Sequence, residues 1–478
     1  MGSNPASRMR PPWFHAWGAH LSPALDRGPP HAWRPPSPSP TTKTATSWPQ
    51  PPCMALTETV DLAEIHRLPM AELVALADSL AIPDAATQTP SELVVHIMRA
   101  LPHREGTIVR GGGTLEVVPE GFGFLRSPER SYFADPGDLY VPPHIIKRLK
   151  LRTGDHVVGP LRPPKPWDKF VAITEAEAVN GDDPAKAADR TPFDSLRPRY
   201  PDRRVRLETA KNPDVSMRVM DLVTPLGFGQ RGLIVAPPRA GKTILLQKMA
   251  NAIRTNYPDV TLILLLLDER PEEVTDFRAT VPGAEVVAST FDEKPQRHVQ
   301  VAEMVSEKAR RLVESGKDVI ILLDSITRLA RAYNNVTRDS GHLMSGGFEA
   351  KAMEKPKRFF GSARNCEEGG SLTIVATALV ETGSRMDEVI FEEFKGTGNM
   401  ELVLDRSFAE RRIYPAIHIG RSGTRREDLL FDQEEANRVF LLRHFLGGMA
   451  DDDAIEFLLR HVEQTRSNKD FFKSMAQG

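Results

Sequence analysis

The segment Leu233-Ile-Val-Ala-Pro-Pro-Arg-Ala-Gly-Lys-Thr243 decides the fold. It runs from a short apolar stretch through a loop into residues 244–253, whose apolar side chains have helical spacing. A strand, a loop ending in Gly-Lys-Thr and a helix form a P-loop, in which backbone N–H groups surround phosphate oxygens. Ala236 stands where the motif usually begins with glycine, so the flanking strand and helix carry the assignment. The sequence therefore predicts a nucleotide site in an α/β domain.

The charged and hydroxyl residues of this loop predict the cofactors. In a P-loop the lysine reaches the β- and γ-phosphates and the following hydroxyl binds Mg²⁺, which gives these roles to Lys242 and Thr243. We therefore expect ATP and Mg²⁺ as cofactors. The predicted nucleotide-binding residues of the loop are Arg239, Ala240, Gly241, Lys242, Thr243 and Ile244.

Two further apolar runs end in acidic residues. Residues 262–267 lead into Asp268-Glu269-Arg270, and residues 319–323 lead into Asp324. Open α/β sheets bind ligands at the carboxyl ends of their strands. We predict that Asp324 holds Mg²⁺ through water and that Glu269 is the general base. An acid at a strand end often serves only as a turn or cap, which is the role predicted for Asp268.

The chain divides into regions of different periodicity. Apolar strands alternate with helical patterns over much of residues 213–478, which predicts a doubly wound α/β domain. Residues 104–180 contain five short β-type runs separated by turn residues, which favours a small OB-type barrel. Residues 54–103 predict a helical subdomain with a capping box at Thr89–Glu92, and residues 181–212 predict a linker. The predicted strands of the barrel are residues 114–118, 122–125, 139–141, 156–158 and 170–173.

Residues 1–53 differ from the rest of the chain. They hold 13 of the 40 prolines and four of the five tryptophans, and Asp26 is their only acid. Proline at this density prevents a packed core, so we interpret the segment as a disordered extension or as translated sequence before a true start at Met54. An additional RNA-binding arm is the functional alternative.

An aromatic pair marks a candidate nucleic-acid surface in the predicted barrel. Phe122 and Phe124 are two residues apart on a strand, so their rings project to one face, and Tyr140 follows on another strand. Filling the barrel core is the alternative role for these rings. Nearby cations favour base stacking with phosphate neutralisation. These cations are Arg126, Lys147, Arg148, Lys150, Arg152, Lys165 and Lys169.

Composition limits the remaining classes. The net charge is −2, so any nucleic-acid surface must be local. The two cysteines, Cys53 and Cys366, predict neither a disulfide framework nor a zinc site and fit a reducing compartment. The longest apolar runs are far shorter than the roughly 20 residues that span a bilayer. No membrane segment is predicted.

Several longer segments closely resemble the Rho family of transcription termination factors, and the resemblance covers nearly everything from Met54 onward. They are Gly121-Phe-Gly-Phe-Leu-Arg126, Asp138-Leu-Tyr-Val141, Gly232 to Thr243, Asp268-Glu-Arg-Pro-Glu-Glu-Val274, Asp324-Ser-Ile-Thr-Arg-Leu-Ala-Arg-Ala-Tyr-Asn334, Phe391-Glu-Glu-Phe-Lys-Gly-Thr-Gly-Asn-Met-Glu401 and Arg421-Ser-Gly-Thr-Arg425.

The resemblance implies a RecA-like ATPase domain and a homohexameric, RNA-dependent ATPase and RNA–DNA helicase of the bacterial cytoplasm. Such a protein loads on C-rich single-stranded RNA, moves 5′ to 3′ and dissociates RNA polymerase, together with elongation factors. At the ATPase site, the resemblance implies that Arg239 and Arg270 assist, Tyr414 packs on adenine, and Arg412 and Arg425 act in trans. For RNA, it implies a primary site formed by Phe122, Phe124, Arg126, Asp138 and Tyr140, and two central loops that carry His342 and Arg385. Lys165 and Phe170 are also predicted to bind RNA.

The sequence departs from the family pattern at four positions. His342 replaces a lysine of the central loop, and a histidine is mostly neutral at pH 7.5, so we expect weaker grip on RNA at neutral pH than near pH 6. Arginine replaces lysine at Arg239 and Arg385, which keeps the charge and changes hydrogen-bond geometry. Phe170 replaces a tyrosine, which keeps a stacking ring and loses a hydroxyl.

Two other classes compete with this interpretation. A rotary or export-type ATPase shares the hexameric core, but its hydrolysis would not respond to RNA. A non-enzymatic RNA-binding ring would have no need to keep Lys242, Glu269, Asp324 and Arg425 together.

Overall fold

The computed structural model describes residues 59–475 except for residues 105, 166 and 338–348. The predictions for residues 1–53 and for His342 therefore lie outside the described residues. Among the helices that are described, none is long and apolar enough to cross a membrane.

The first described elements form a small helical unit beside the barrel. They are β1 (Thr59–Asp61), α1 (Leu62–Ile65), α2 (Met70–Ser79) and α3 (Pro90–Ala100). The predicted capping box is confirmed, because the Thr89 side chain accepts from the Glu92 backbone N–H and Glu92 accepts from the Thr89 N–H. This cap starts α3 and directs Leu93 and Ile97 into the core shared with the barrel.

Five strands close the predicted barrel. The elements are β2 (Ile108–Val117), β3 (Gly123–Arg126), β4 (Leu139–Val141), α4 (Pro143–Arg148), β5 (His156–Arg162), β6 (Ala172–Ile173) and β7 (Ala178–Val179). The order β2-β3-β4-β6-β5 returns to β2 through a β2–β5 pairing. Closure leaves short strands with an apolar interior, as expected for an OB-type barrel.

Strand β2 begins six residues before the predicted run because it includes Gly111-Gly-Gly113. Glycine weakens a strand by propensity, yet here neighbouring groups approach too closely for a side chain. A Cβ on Gly111 would lie 2.5 Å from Leu139 Cδ1, and one on Gly113 would lie 3.0 Å from the Arg126 carbonyl oxygen. The close approach lets β2 pair with both β3 and β5.

The rest of the chain forms an α/β domain and its connection to the barrel. Its strands are β8 (Pro198–Arg199), β9 (Arg204–Val205), β10 (Leu226–Gly227), β11 (Arg231–Ala236), β12 (Thr261–Glu269), β13 (Glu285–Thr290), β14 (Asp318–Asp324), β15 (Arg364–Cys366), β16 (Ser371–Leu379), β17 (Met400–Val403) and β18 (Gly423–Thr424). Its helices are α5 (Pro184–Ala187), α6 (Val215–Val223), α7 (Lys242–Asn256), α8 (Pro271–Thr280), α9 (Pro295–Glu314), α10 (Ile326–Val336), α11 (Ala350–Gly361), α12 (Arg385–Lys395), α13 (Arg406–Glu410), α14 (Gln433–Leu446), α15 (Asp451–Glu463) and α16 (Asn468–Met475).

The central sheet has the order β13-β12-β14-β16-β11-β17-β18, and all but β18 are parallel. Two separate apolar cores cover its two faces, which explains why its strands are continuous apolar runs. The predicted RecA-like α/β fold is confirmed. The carboxyl ends of β11, β12 and β14 consequently lie along one edge.

Buried polar contacts attach the barrel to α9 of the α/β domain. Tyr132, from the loop after β3, is fully buried against the core of the α/β domain and donates its hydroxyl to Glu285. Lys308 on α9 bonds both of these side chains. Arg152 pairs with the fully buried Glu314 at the end of α9. The two domains are therefore connected by more than residues 181–212.

Candidate nucleotide and RNA sites

The P-loop connects β11 to α7 at the carboxyl edge of the sheet. Gly241 has φ +86°, a left-handed conformation that favours glycine, and it forms the N-cap of α7. Lys242 and Thr243 are the first residues of that helix. The unpaired backbone N–H groups and positive end of α7 therefore face the loop, which is the arrangement that binds phosphate.

Lys242 meets the two predicted carboxylates. Its ammonium group bonds both carboxylate oxygens of Asp324 and lies 3.3 Å from Oε1 of Glu269. Burial lowers the pKa of Lys242, but the charges of Asp324 and Glu269 raise it more, so the net pKa is above the usual value. The lysine is thus held in its charged form between the strand ends.

Glu269 is buried at the end of β12, behind an irregularity in that strand. Asp268 has φ +56°, and the pairing of β12 with β13 shifts register between Leu267 and Glu269. Bulges of this kind redirect a side chain, so the turn role predicted for Asp268 has a geometric basis. Burial and the nearby Asp324 charge raise the pKa of Glu269, while Lys242 and then Arg328 lower it. A raised pKa suits a proton acceptor working near neutral pH.

Three neighbouring residues were not identified from the sequence. Thr377 of β16 donates a buried 2.8 Å hydrogen bond to Asp324, and Arg328 of α10 lies 3.5 Å from Glu269. Glu273 accepts a 3.4 Å hydrogen bond from Thr243. Arg328 and Glu273 lie within segments that resemble the Rho family, and that resemblance could have identified them. Thr377 gave none, because it is one residue in an apolar strand.

The oxygen groups around Thr243 fit a magnesium–nucleotide complex. Mg²⁺ prefers oxygen ligands and is usually bound through one or two carboxylates plus substrate phosphates. Asp324, Glu273 and the Thr243 hydroxyl supply such oxygens. Within the described residues, no group of three or more His, Cys, Asp or Glu side chains is placed to hold a metal ion alone.

An open pocket of about 590 Å³ extends from the P-loop. Its size falls in the usual range of about 300–1,000 Å³ for small-molecule sites. Tyr414 forms one wall and is half-exposed. A Cβ on Gly241 would lie 3.5 Å from Tyr414 Cε1. The pocket can therefore hold an aromatic base against a ring beside the phosphate loop. Its other lining residues include Arg239, Ala240, Ile244, Leu379, Leu404 and Ala416.

The two arginines predicted to act in trans lie at opposite edges of the sheet. The Arg425 N–H donates to the Asn399 carbonyl at the start of β17, so Arg425 is at the amino edge. Arg412 is two residues before Tyr414, at the carboxyl edge that holds the P-loop. Both are exposed, as is Arg270 at the N-cap of α8. The sequence did not distinguish these positions.

Four aromatic rings form a cluster on the barrel surface, and we call it the aromatic platform. Phe122, Phe124, Tyr140 and Phe170 are all partly buried. Ring centroids are 5.7 Å apart for Phe122–Phe124, 5.4 Å for Phe122–Tyr140 and 4.9 Å for Phe124–Phe170. The rings therefore do not fill the barrel core, whose residues are aliphatic. An exposed aromatic surface of this kind can stack nucleobases.

Arg126 supports this platform from below and is not a free cation. It is buried and forms ion pairs with Glu116, at 2.7 Å, and with Asp138. Its guanidinium lies 5.0 Å from the Phe124 ring centroid. The sequence suggested phosphate neutralisation for Arg126, but burial leaves that task to exposed cations. Lys147, Arg148, Lys165 and Lys169 are exposed.

Arg385 starts α12 on an exposed loop beyond β16. Asp387 of the same helix forms a two-point ion pair with Arg331 of α10, with distances of 2.7 and 2.6 Å. The first turn of α10 also carries Arg328, which faces Glu269. The helix α10 thus contacts both Glu269 beside the P-loop and the helix that begins at Arg385.

A P-loop and paired carboxylates on a doubly wound sheet, joined to a barrel with an exposed aromatic platform, define a RecA-like P-loop ATPase with an RNA-binding domain. The nucleotide-binding domain model of the ATP synthase alpha/beta family matches residues 216–424, and the RNA-binding domain model of Rho termination factor matches residues 111–185. A solved ATPase from the type III secretion system of pathogenic bacteria shares the fold, with a TM-score of 0.50 and 24% identity over 60% of this chain and 88% of that one.

Curated relatives extend the match to nearly the whole described chain. Transcription termination factor Rho of Pseudomonas aeruginosa is 54% identical over 87% of this chain and 99% of its own length. The Rho proteins of Cereibacter sphaeroides and Escherichia coli K12 are 53% and 52% identical, over 88% and 87% of this chain and 100% and 99% of their own lengths. The chain belongs to the family of transcription termination factor Rho. The resemblance seen in the sequence is confirmed.

Proposed function

We propose that this protein terminates transcription as a homohexameric ring that hydrolyses ATP to pull single-stranded RNA through its centre. As an RNA–DNA helicase moving 5′ to 3′ in the cytoplasm, it would dissociate RNA polymerase from the transcript, in concert with elongation factors. Family membership and the combination of an RNA-binding domain with an ATPase domain support this proposal. C-rich RNA is the proposed substrate of the aromatic platform, because small pyrimidine rings fit closely spaced aromatic side chains.

The residues at the carboxyl edge would divide the hydrolysis reaction among them. Lys242 and the N–H groups of the P-loop bind the β- and γ-phosphates, and Glu269 accepts a proton from the attacking water. Mg²⁺ would be held by the Thr243 hydroxyl and, through water, by Asp324. It would neutralise developing charge on the phosphates. Tyr414 holds the adenine. Arg239 and Arg270 add positive charge around the nucleotide of their own chain, and Arg412 acts across the interface between protomers.

The position of Arg425 is the observation that best supports a ring of several protomers. The six residues of β11 separate the amino edge of the sheet from the P-loop by roughly 20 Å. That distance is greater than one arginine side chain extends. Arg425 therefore cannot complete the nucleotide site of its own chain, and a neighbouring protomer supplies a site within its reach. An arginine finger acting in trans raises the hydrolysis rate by a factor of about 10³–10⁵.

The test is complementation between two inactive variants. Lys242→Ala and Arg425→Ala chains, with different tags, are co-expressed and rings containing both are purified. Each variant alone should lack poly(C)-stimulated hydrolysis. Rings assembled at random from equal amounts of the two chains should recover on average about a quarter of the wild-type rate, since only interfaces with an intact lysine and an intact neighbouring arginine work. Mixed rings as inactive as each parent would contradict a finger in trans. Wild-type hydrolysis that ignores poly(C) would contradict the motor function itself.

A further inference from the structure

A fifth aromatic ring stands near the aromatic platform. Trp167 is 77% exposed, the largest fraction among the exposed large apolar side chains of the described residues. A single exposed apolar side chain is common on protein surfaces, so its surroundings decide whether it has a function. Those surroundings are cationic, firmly held and next to the platform.

One lysine lies near the Trp167 ring and another lies near the Phe170 ring of the platform. The Lys165 ammonium lies 5.7 Å from the Trp167 ring centroid, and the Lys169 ammonium lies 5.8 Å from that of Phe170. Both lysines are exposed. An aromatic ring with an adjacent cation offers a stacking face and a phosphate contact to the same nucleotide.

Hydrogen bonds hold the loop that presents Trp167. The Asp168 carboxylate accepts from Arg162, at 2.7 Å, and from the Lys165 backbone N–H, at 3.0 Å. Arg99 of α3 donates to the Asp168 carbonyl oxygen, at 2.8 Å, and to the Lys169 carbonyl oxygen, at 3.0 Å. A preformed loop loses little conformational freedom when it binds a ligand. The helical subdomain thus positions an element of the barrel surface.

The ring is continuous with the platform on one side and with a basic cleft on the other. Phe170, whose ring is 4.9 Å from Phe124, follows Trp167 by three residues, so their Cα atoms are at most about 11 Å apart. A cleft of about 530 Å³ lies between the barrel and the helical subdomain. The nitrogen-bearing side chains that line it are Gln88, His96, Arg99, His103 and Lys165.

We infer that Trp167 is an additional base-stacking position of the RNA site, with Lys165 and the basic cleft receiving the phosphates of the same strand. RNA would thus run from the platform across the loop toward the helical subdomain. The inference rests on the proposed RNA-binding function and extends its footprint by at least one nucleotide.

Fluorescence can observe this ring alone in the full chain. Trp13, Trp17, Trp33 and Trp48 are the other tryptophans, so changing these four to phenylalanine leaves Trp167 as the only indole. Oligo(C) should quench its emission in proportion to occupancy. An abasic ribose-phosphate strand of equal length is the matched probe, and it should bind more weakly without quenching, because it has no base to stack.

Affinity for oligo(C) of increasing length gives the second readout. Trp167→Ala should weaken binding of long oligomers by about five- to tenfold, near the lower end of the range for one stacked base. It should leave short oligomers that occupy only the platform unaffected. Trp167→Phe should retain most of the affinity. Tyr200→Ala, which removes another exposed ring, 63% exposed and in contact with Arg426 of the α/β domain, should not change RNA binding.

The two failures can be told apart. Suppose that the variant without the other four tryptophans binds oligo(C) with wild-type affinity and keeps RNA-stimulated hydrolysis. If Trp167 emission is then not quenched and Trp167→Ala binds RNA normally, the inference is overturned, and a protein contact becomes the alternative role of this ring. If the wild-type protein binds no RNA, the proposed function fails first.

Discussion

The carboxyl edge of the sheet and the aromatic platform use opposite physical means. At the edge, charged groups are withdrawn from water: Glu269 and Asp324 are 3% and 1% exposed and surround one lysine. On the platform, uncharged rings remain partly exposed, and Arg126, the charge beneath them, is paired and buried. Buried charges act strongly on a reaction at close range, whereas exposed rings give modest, sequence-tolerant binding.

This contrast separates the kinds of damage that substitutions should cause. Changes at the edge should abolish hydrolysis and leave RNA affinity intact, and changes on the platform should weaken RNA affinity and leave hydrolysis without RNA intact. The barrel packs on α9, and α10 carries Arg328 beside Glu269, but among the described residues no side chain belongs to both regions.

The largest effect is expected from Glu269→Gln, which removes the proposed base and keeps its size. Hydrolysis should fall by about 10²–10⁴, the usual contribution of general acid–base catalysis. Affinity for oligo(C) should remain within experimental error of the wild type. The measurements are steady-state ATP hydrolysis and equilibrium RNA binding on the same preparation.

Asp268→Asn is the matched control for that change, because it makes the same loss of charge one residue earlier. Asp268 is partly exposed and lies at the bulge in β12. Asparagine also tolerates the left-handed backbone conformation of this position. Near-normal hydrolysis is expected. If the two variants lost activity equally, Glu269 would have no special role.

An intermediate effect is expected from Phe122→Ala. Loss of one stacking ring removes about 1–3 kcal/mol per base, which corresponds to roughly 5- to 150-fold weaker RNA binding. Hydrolysis without RNA should be unchanged, and more poly(C) should be needed for half-maximal stimulation. Phe122→Tyr keeps the ring and should keep the affinity. An RNA-free rate that falls with the alanine change would mean that the two regions are not separable.

The smallest effect concerns pH. Because burial and Asp324 raise the pKa of Glu269, the base loses its ionised form at a higher pH than an ordinary glutamate does. The acid limb of kcat/KM, which reports the free enzyme, should therefore begin at a higher pH. Arg328 lowers that pKa, so Arg328→Gln should move the limb further upward, and Arg328→Lys should move it less. A limb that stays in place in Arg328→Gln would exclude Glu269 as its source.

The strands and the P-loop were accessible from the sequence because their signals are local. Apolar runs of strand length followed by an acid or by Gly-Lys-Thr need no tertiary information. The start of β2 was missed because propensity disfavours Gly111-Gly-Gly113, while tertiary crowding by Leu139 requires glycine there. Thr377 was missed because a hydroxyl in an apolar strand has no pattern, and only the neighbouring β14 gives it Asp324 as a partner.

By itself, the sequence determined the family, the order of the domains' characteristic elements and the chemical types at each site, since these depend on residue identity and spacing along the chain. Only the tertiary structure decided that Arg126 is buried under the platform, that Arg425 lies at the edge of the sheet opposite the P-loop, and that Trp167 is exposed with the Lys165 ammonium group near its ring. The reason is physical. The burial of a side chain, its ion pairs and the distance it can span depend on residues that are far apart in sequence and that folding brings within a few ångströms.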